Sequence, residues 1–398
     1  MQIVCFSKMN KSIALLFHPL LVNTTANIHE MLSSCLPEYK VYEIKHPEHL
    51  DKVLSKIENQ EKEETEALLE EIEQFDILLT DPMSLFPIAN RIKSIKWIQG
   101  IFAGVDRLTP VLNKDSIPAF LYTRFGGKFG QHLSEYVIAY IINTERKTHY
   151  LYEQQAKCIW AQTKIIENSP PYRLLSQLSI TILGAGDIGR DIAKHCKRFG
   201  MTVYGMVSYQ RENENENIDE LFTPSSLAIY LEKSDYVVNT LPKTPHTTGI
   251  LSNSILKHCA KRQSVFINVG RGNVLTDADV IEAIENKWIQ SAVLDVFEKE
   301  PLLSDSKLWS LPNVTVTPHV SGLPYTSIIV EAFLENLKLY EEGKPLNYLV
   351  DWVKEWKNQL LFLLTQFIKF LKQLKNVFQI IKFIKYITKV SAIVLQFL

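Results

Sequence analysis

The segment Ser179-Ile180-Thr181-Ile182-Leu183-Gly184-Ala185-Gly186-Asp187-Ile188-Gly189-Arg190 narrows the fold more than any other part of the chain, because an apolar, β-prone run passes directly into three spaced glycines and a helix. The spacing reads as a strand, a tight turn and a helix built around a phosphate. Gly184 suits the turn, Gly186 lets backbone approach a pyrophosphate, and Gly189 lets helix and strand touch. Asp187 and Ile188 open the helix, whose first N–H groups have no partner within it and are donors for phosphate oxygens. A surface glycine loop is the bland alternative. Against it stand Ile192, Ala193, Cys196 and Phe199 at helical spacing, Gly200 as a stop, and a next strand over Met201 to Val207.

The rest of the chain extends this theme. Ile13 to Phe17, Val41 to Ile44, Ile77 to Thr80 and Ile95 to Ile98 read as short strands of a first α/β layer structure. The glutamate-rich stretch from Glu58 to Glu73, with Leu68, Leu69 and Ile72 on one face, reads as a solvated helix without a function. Phe125-Gly126-Gly127-Lys128-Phe129-Gly130 reads as a hinge, followed by one long helix from Gln131 to about Thr163. Beyond the glycine loop, the apolar runs Tyr236 to Asn239, Val265 to Asn268, Ser291 to Leu294 and Val314 to Thr317 predict parallel strands buried on both faces. The expected class is therefore α/β with doubly wound sheets.

At 398 residues there is room for two domains, and 43 basic against 44 acidic residues leave a net charge of −1, which gives nucleic acid no electrostatic footprint. Five scattered cysteines without a C-x-x-C pair suggest neither disulfides nor a metal site, and a reducing, cytoplasmic setting is expected. Lys8 and Lys11 precede the apolar run at Ile13, but that run is short, is broken by His18-Pro19, and has no arginine before Arg91. A first strand is the reading preferred there; mitochondrial targeting is left open.

Side chains that act on a ligand in such sheets sit at the carboxyl ends of the strands. Arg271, Glu300 and His319 each follow a predicted buried strand. Each alone has an ordinary reading, as a surface ion pair, a solvated acid or a turn histidine. Together they divide the work of reducing a 2-keto acid: Arg271 grips a carboxylate with its planar fork, His319 donates a proton to the carbonyl oxygen, and Glu300 orients the histidine and favours its charged form. Hydride has to come from a cofactor.

The set Gly184 to Gly189, Asn268-Val269-Gly270-Arg271-Gly272, Asp295-Val296-Phe297 with Glu300-Pro301, and Thr317-Pro318-His319-Val320-Ser321-Gly322 resembles the D-isomer-specific 2-hydroxyacid dehydrogenases, in particular their glyoxylate/hydroxypyruvate reductase-like branch. The resemblance runs from about Ser12 to Asp351. It implies a flavodoxin-like substrate domain over 12–124 and 320–351, with a Rossmann-type NAD(P)-binding domain over 125–319 inserted in it. It implies a homodimer joined through the nucleotide domain, with a small 2-keto or 2-hydroxy acid as substrate. Carried over residue by residue, it makes Arg271, Glu300 and His319 catalytic, with Phe102, Ala103 and Gly104 offering backbone N–H groups to the substrate carboxylate. Leu241, Pro242, Thr248, Val269, Gly270 and Gly322 fall around the nucleotide, and Asp295 at its nicotinamide end. A sensor that binds the dinucleotide without turnover is the alternative from another class.

Two features depart from the family. The strand ending Met206-Val207-Ser208-Tyr209-Gln210-Arg211 lacks the acid that grips the ribose hydroxyls of NAD, and with Ser208 and Arg211 beside a 2′-phosphate, NADP(H) is favoured over NAD(H); the following Glu212 to Glu216 run counts against this. Residues 352–398 turn abruptly to Leu, Ile, Phe and Lys, with Glu355 the one acid. Lysines interrupt every window long enough to span a membrane, which leaves a basic amphipathic helix suited to a membrane surface, to the enzyme's own body, or to nothing selected.

Overall fold

The computed structural model describes residues 11–47, 59–106, 108, 112, 118–167, 172–209, 212–213 and 215–352. Both of its sheets belong to one compact unit that runs to Val350. The first holds β1 (Ser12–Leu16), β2 (Lys40–Glu43), β3 (Ile77–Thr80), β4 (Trp97–Gly100) and β5 (Leu121–Thr123) in the order β2-β1-β3-β4-β5. All its pairings are parallel, and the strand order reverses between β1 and β3, the flavodoxin-like arrangement. Between these strands run α1 (Ile28–Cys35) and α2 (Asn59–Ile72); the acidic helix α2 buries Leu68, Leu69 and Ile72, as its apolar stripe predicts.

After β5 the chain crosses 125–130 and enters α3 (Gly130–Glu145). The single long helix expected over 131–163 is instead three: α3, α4 (Thr148–Ala156) and α5 (Gln162–Ile166). Lys147 turns left-handed at φ 54° and breaks the first join, and Cys158 at φ 55° lies within the second. The interruption has no glycine or proline to announce it.

The second sheet is β6 (Ser179–Leu183), β7 (Thr202–Met206), β8 (Glu220–Phe222), β9 (Tyr236–Asn239), β10 (Ser264–Asn268), β11 (Ile289–Leu294) and β12 (Val314–Val316), ordered β12-β11-β10-β9-β6-β7-β8 and parallel throughout. The order reverses between β6 and β9, the Rossmann arrangement, with α6 (Asp187–Arg198), α7 (Leu227–Lys233) and α8 (Asp277–Glu285) among its crossovers. Leu133, Val137 and Ile141 of α3 share one apolar core with Ile192, Ala193 and Cys196 of α6. Burial pushes the thiols of Cys196 and Cys259 up to about 12 and about 11, so both are core residues and not nucleophiles.

From β12 the chain returns to the first sheet through α9 (Thr326–Glu341). Trp97 of β4 is fully buried and stacks against Phe333 and Tyr340 of this helix, at ring separations of 5.3 and 5.2 Å. Each such aromatic contributes on the order of 1.5–3 kcal/mol by leaving water. The Asn336 amide donates to Gln99 Oε1 at 2.9 Å, and the Thr326 hydroxyl donates to the Ala26 carbonyl at 2.6 Å. A last bridge, Thr123 to Leu349, brings the Tyr348 ring over Gly126 and Gly127. Among the described residues no helix is long and apolar enough to cross a membrane, and residues 353–398, with the basic helix expected there, lie outside them.

Candidate active site

The glycine turn forms where β6 ends, at the switch point of the second sheet. Gly184 has φ +104°, which an L side chain rarely adopts, and a Cβ on Gly189 would collide with the Gly184 carbonyl. A Cβ on Gly186 would meet nothing within 4 Å. That open approach leads to the start of α6, where Gly186 is the N-cap without a side-chain capping bond and Asp187, Ile188 and Gly189 supply the first turn. An anion-accepting helix end behind an uncrowded glycine fits the pyrophosphate of a dinucleotide.

Beside it, two asparagines at adjacent strand ends organise the loops, a role that the sequence does not assign to them. Asn239 and Asn268 are buried, and Asn239 Nδ2 donates to Asn268 Oδ1 at 2.8 Å. Asn239 Oδ1 then accepts the Leu241 N–H at 3.1 Å, Asn268 Oδ1 accepts the Gly270 N–H at 3.3 Å, and both amides point at the Arg271 carbonyl. Gly270 lies against the Leu241 backbone, and Leu241 also touches Gly184, so the nucleotide wall and the arginine loop are one packed body. Val269 is buried there, the Pro242 carbonyl accepts from Thr247, and Thr248 accepts from the Asn273 amide at 2.7 Å. Ser208 is exposed just past the end of β7, and Arg211 lies outside the described residues.

Arg271 reaches across to the first sheet. Its Nε donates to Asp106 Oδ1 at 3.2 Å and its Nη1 to the Gly270 carbonyl at 2.9 Å, while a Cβ on Gly104 would run into Nη2. The turn Phe102-Ala103-Gly104 after β4 therefore meets the guanidinium at Gly104. Glycine at 104 is what permits the approach. Burial pushes the Asp106 carboxyl up, but the charge and hydrogen bond of Arg271, helped by its own backbone N–H and by Lys243, outweigh that and hold it below its ordinary value. With Nε and Nη1 engaged, Nη2 is the guanidinium nitrogen that lies beside Gly104.

The acid pair forms on the other side. His319 Nδ1 lies 2.8 Å from Glu300 Oε2, and Glu300 Oε1 accepts the Phe297 N–H at 3.1 Å. Gly272 backs directly onto Phe297, so the arginine loop and the glutamate turn are neighbours. Asp295 is fully buried and engaged in the histidine turn: Oδ1 takes the Thr317 hydroxyl at 2.6 Å and the Val320 N–H at 2.9 Å, and Oδ2 takes the Ser321 N–H at 3.0 Å. The residue expected at the nicotinamide end thus spends its carboxylate on the loop that carries His319. Gly322, expected beside the nucleotide, is packed against Leu133 and Phe129 at the start of α3.

Comparison with known proteins identifies the family. The family model for the D-isomer specific 2-hydroxyacid dehydrogenase NAD binding domain matches residues 138–321. Over 222 residues the chain is 31% identical to the glyoxylate/hydroxypyruvate reductase A of Photorhabdus laumondii subsp. laumondii, a match spanning 56% of this chain and 68% of that one. The chain belongs to the D-isomer-specific 2-hydroxyacid dehydrogenases. Among solved structures, a family protein from Aeromonas salmonicida superposes with TM-score 0.72 at 29% identity, covering 86% of this dehydrogenase and 99% of that chain. One from Xanthobacter autotrophicus Py2, solved with NADPH and MES, does so with TM-score 0.69 at 26% identity over 86% and 99%. This dehydrogenase is accordingly an NAD(P)-dependent oxidoreductase of α/β class, with a Rossmann-type nucleotide domain.

Proposed function

We propose that this dehydrogenase reduces glyoxylate or hydroxypyruvate to the D-2-hydroxy acid and prefers NADPH. The observation that carries the reading is the His319–Glu300 pair at 2.8 Å, held on a turn adjoining the arginine loop. In this reading the Nη2 edge of Arg271 and the backbone N–H groups of residues 102–104 hold the substrate carboxylate, which fixes the direction in which the neighbouring carbonyl points. His319, with Nδ1 on Glu300, offers Nε2–H to the carbonyl oxygen and gives up that proton as the oxygen gains charge. Glu300 accepts the Nδ1–H and so holds the ring with Nε2 outward. The bound nicotinamide supplies the hydride. Gly184, Gly186, Asp187, Ile188 and Gly189, with Leu241, Pro242, Thr248, Val269 and Gly270, form the cradle that orients it.

Preference for NADPH rests on the end of β7, where Met206-Val207-Ser208 supplies no acid to bind ribose hydroxyls and to repel a 2′-phosphate. The Xanthobacter relative, solved with NADPH, supports it. A pair of protomers is proposed as well: α4 and the turn after it expose Tyr152, Ile159 and Trp160, the last 86% accessible, an apolar strip suited to a second copy and checked by light scattering.

The test is a panel of small 2-keto acids with each nucleotide, read at the reduced-nicotinamide absorbance. NADPH oxidation with glyoxylate or hydroxypyruvate, and a D product on chiral analysis, is the expected result. No oxidation of either nucleotide by any keto acid ends the reductase reading and favours a dinucleotide sensor. Arg211→Ala is expected to raise KM for NADPH more than for NADH, and equal changes would remove it from the phosphate site.

A further inference from the structure

The histidine turn carries a cost that something must offset. His319 has φ +56°, a left-handed conformation that costs a non-glycine residue roughly 1–2 kcal/mol, and such a residue stays put only where its surroundings over-determine it. Within the nucleotide sheet, Asp295 does part of this: its carbonyl accepts the His319 N–H at 3.0 Å and its carboxylate accepts from Thr317, Val320 and Ser321. Yet Thr317 and Gly322, at the two ends of the turn, are also gripped from outside that sheet, by α3.

Tyr136 Oη and Thr317 Oγ1 lie 2.6 Å apart. The single Thr317 proton goes to Asp295 Oδ1, an acceptor, at 2.6 Å, so the Tyr136 hydroxyl must donate to Thr317. The bonds run one way, from phenol to hydroxyl to buried carboxylate, each donor polarising the next. Burial pushes the Tyr136 phenol up, the bond to Thr317 pulls it down, and the Asp295 charge adds to the rise, which leaves it above its ordinary value. One turn back along α3, Leu133 takes up the space where a Gly322 side chain would be, with its Cδ1 2.6 Å from the position of a Cβ. Helix α3 thus holds the start of the turn by a hydrogen bond and its end by contact.

We propose that Tyr136 and Thr317 are positioning residues for the acid–base step: their hydroxyl relay, anchored on α3, fixes the left-handed turn that aims His319 at Glu300 and at the substrate oxygen. The inference rests on the reading of His319 as the proton donor. Neither side chain is assigned a touch on substrate or nucleotide, so their loss acts through Asp295 and the turn that carries His319. A misplacement of the order of 1 Å costs a catalyst up to about a hundredfold in rate.

The experiment compares Thr317→Val, Thr317→Ser and Tyr136→Phe with the wild-type enzyme, by kinetics with NADPH and by the downfield NMR signal of the His319 Nδ1 proton, assigned from its loss in His319→Ala. Thr317→Val keeps the shape and removes the relay; kcat is expected to fall about ten- to a hundredfold with both KM values within about twofold, and the proton signal to vanish. Thr317→Ser restores the hydroxyl and is expected to recover both. Tyr136→Phe leaves the Thr317–Asp295 bond and is expected to lose about threefold in kcat, with a weakened signal. An unchanged kcat and signal in Thr317→Val, a loss that serine does not restore, or a rise in KM in place of a fall in kcat would each overturn the proposal. Because the NMR signal needs no turnover, a wild-type enzyme inactive on every keto acid whose signal still follows the relay would refute the reductase reading and leave the positioning role standing.

Discussion

The two halves of the candidate site are held in opposite ways. The acid half, Glu300 and His319, is tied by several short bonds to Asp295, Phe297 and Thr317, all from the second sheet and its loops, with α3 behind. The anion half is assembled from both sheets: Arg271 follows β10, Gly104 and Asp106 follow β4, and one ion pair at 3.2 Å spans them. The bonds that hold the acid half come from the second sheet, its loops and α3, and in that sense it is preset. The Arg271–Asp106 pair requires residues from both sheets.

His319→Ala removes the preset half and is expected to have the largest effect, a fall of about 10²–10⁴ in kcat with KM for the keto acid nearly unchanged, measured by steady-state kinetics. Arg271→Ala attacks the assembled half and is expected to raise KM and lower kcat together, for a loss of about 3–5 kcal/mol in kcat/KM, while NADPH affinity measured by fluorescence titration holds. A KM unchanged in that variant would mean that the carboxylate is held elsewhere and that the contrast between the halves is wrong. Gly104→Ala sharpens the contrast, because the added methyl meets the side-chain ends of Arg271 and Asp106 and not backbone. Its KM is expected to rise about tenfold with Tm unchanged, a displacement of the guanidinium without damage to the fold.

The smallest effect concerns Asp106. Asp106→Asn is expected to cost about 0.5–1 kcal/mol in substrate binding, the scale of a partly exposed pair. Since the folded carboxyl lies below its ordinary value, the ion pair contributes fully above the unfolded pKa of about 3.9, and that contribution is lost as pH falls through the folded value. Denaturation followed between pH 5 and 3 is expected to show a slope in the wild type that is shallower in Asp106→Asn. Identical slopes would mean that Arg271 does not depend on this carboxylate.

What sequence could reveal followed burial. Tyr236 to Asn239 and Ser264 to Asn268 are buried at every position, so their apolar runs and polar ends predicted both the strands and the loops after them. The strands that escaped notice, β5 and β8, are edge strands of three residues, too short for a periodic pattern to show. Arg271, Glu300 and His319 were legible: Arg271 follows a strand of the fully buried kind, whereas β11 and β12, which precede Glu300 and His319, are buried only in part, and there the apolar run alone marked the strand. Asp106, Tyr136 and Thr317 were not, because what makes them matter is a partner 165, 181 or 22 positions away, and pairing at that range leaves no periodic trace.

The bond between Asn239 and Asn268 has a practical consequence for redesign. It makes the loop beginning at Leu241 and the loop carrying Arg271 a single mechanical unit, so altering either to admit a new nucleotide disturbs the grip on the acid as well. Ser208 lies past the end of β7, two strands away from β9 and outside that bond. Under the proposed function, an engineer who wants to exchange one nicotinamide coenzyme for the other while leaving the acid untouched has an independent dial there, and would find the two traits inherited together anywhere nearer the asparagines.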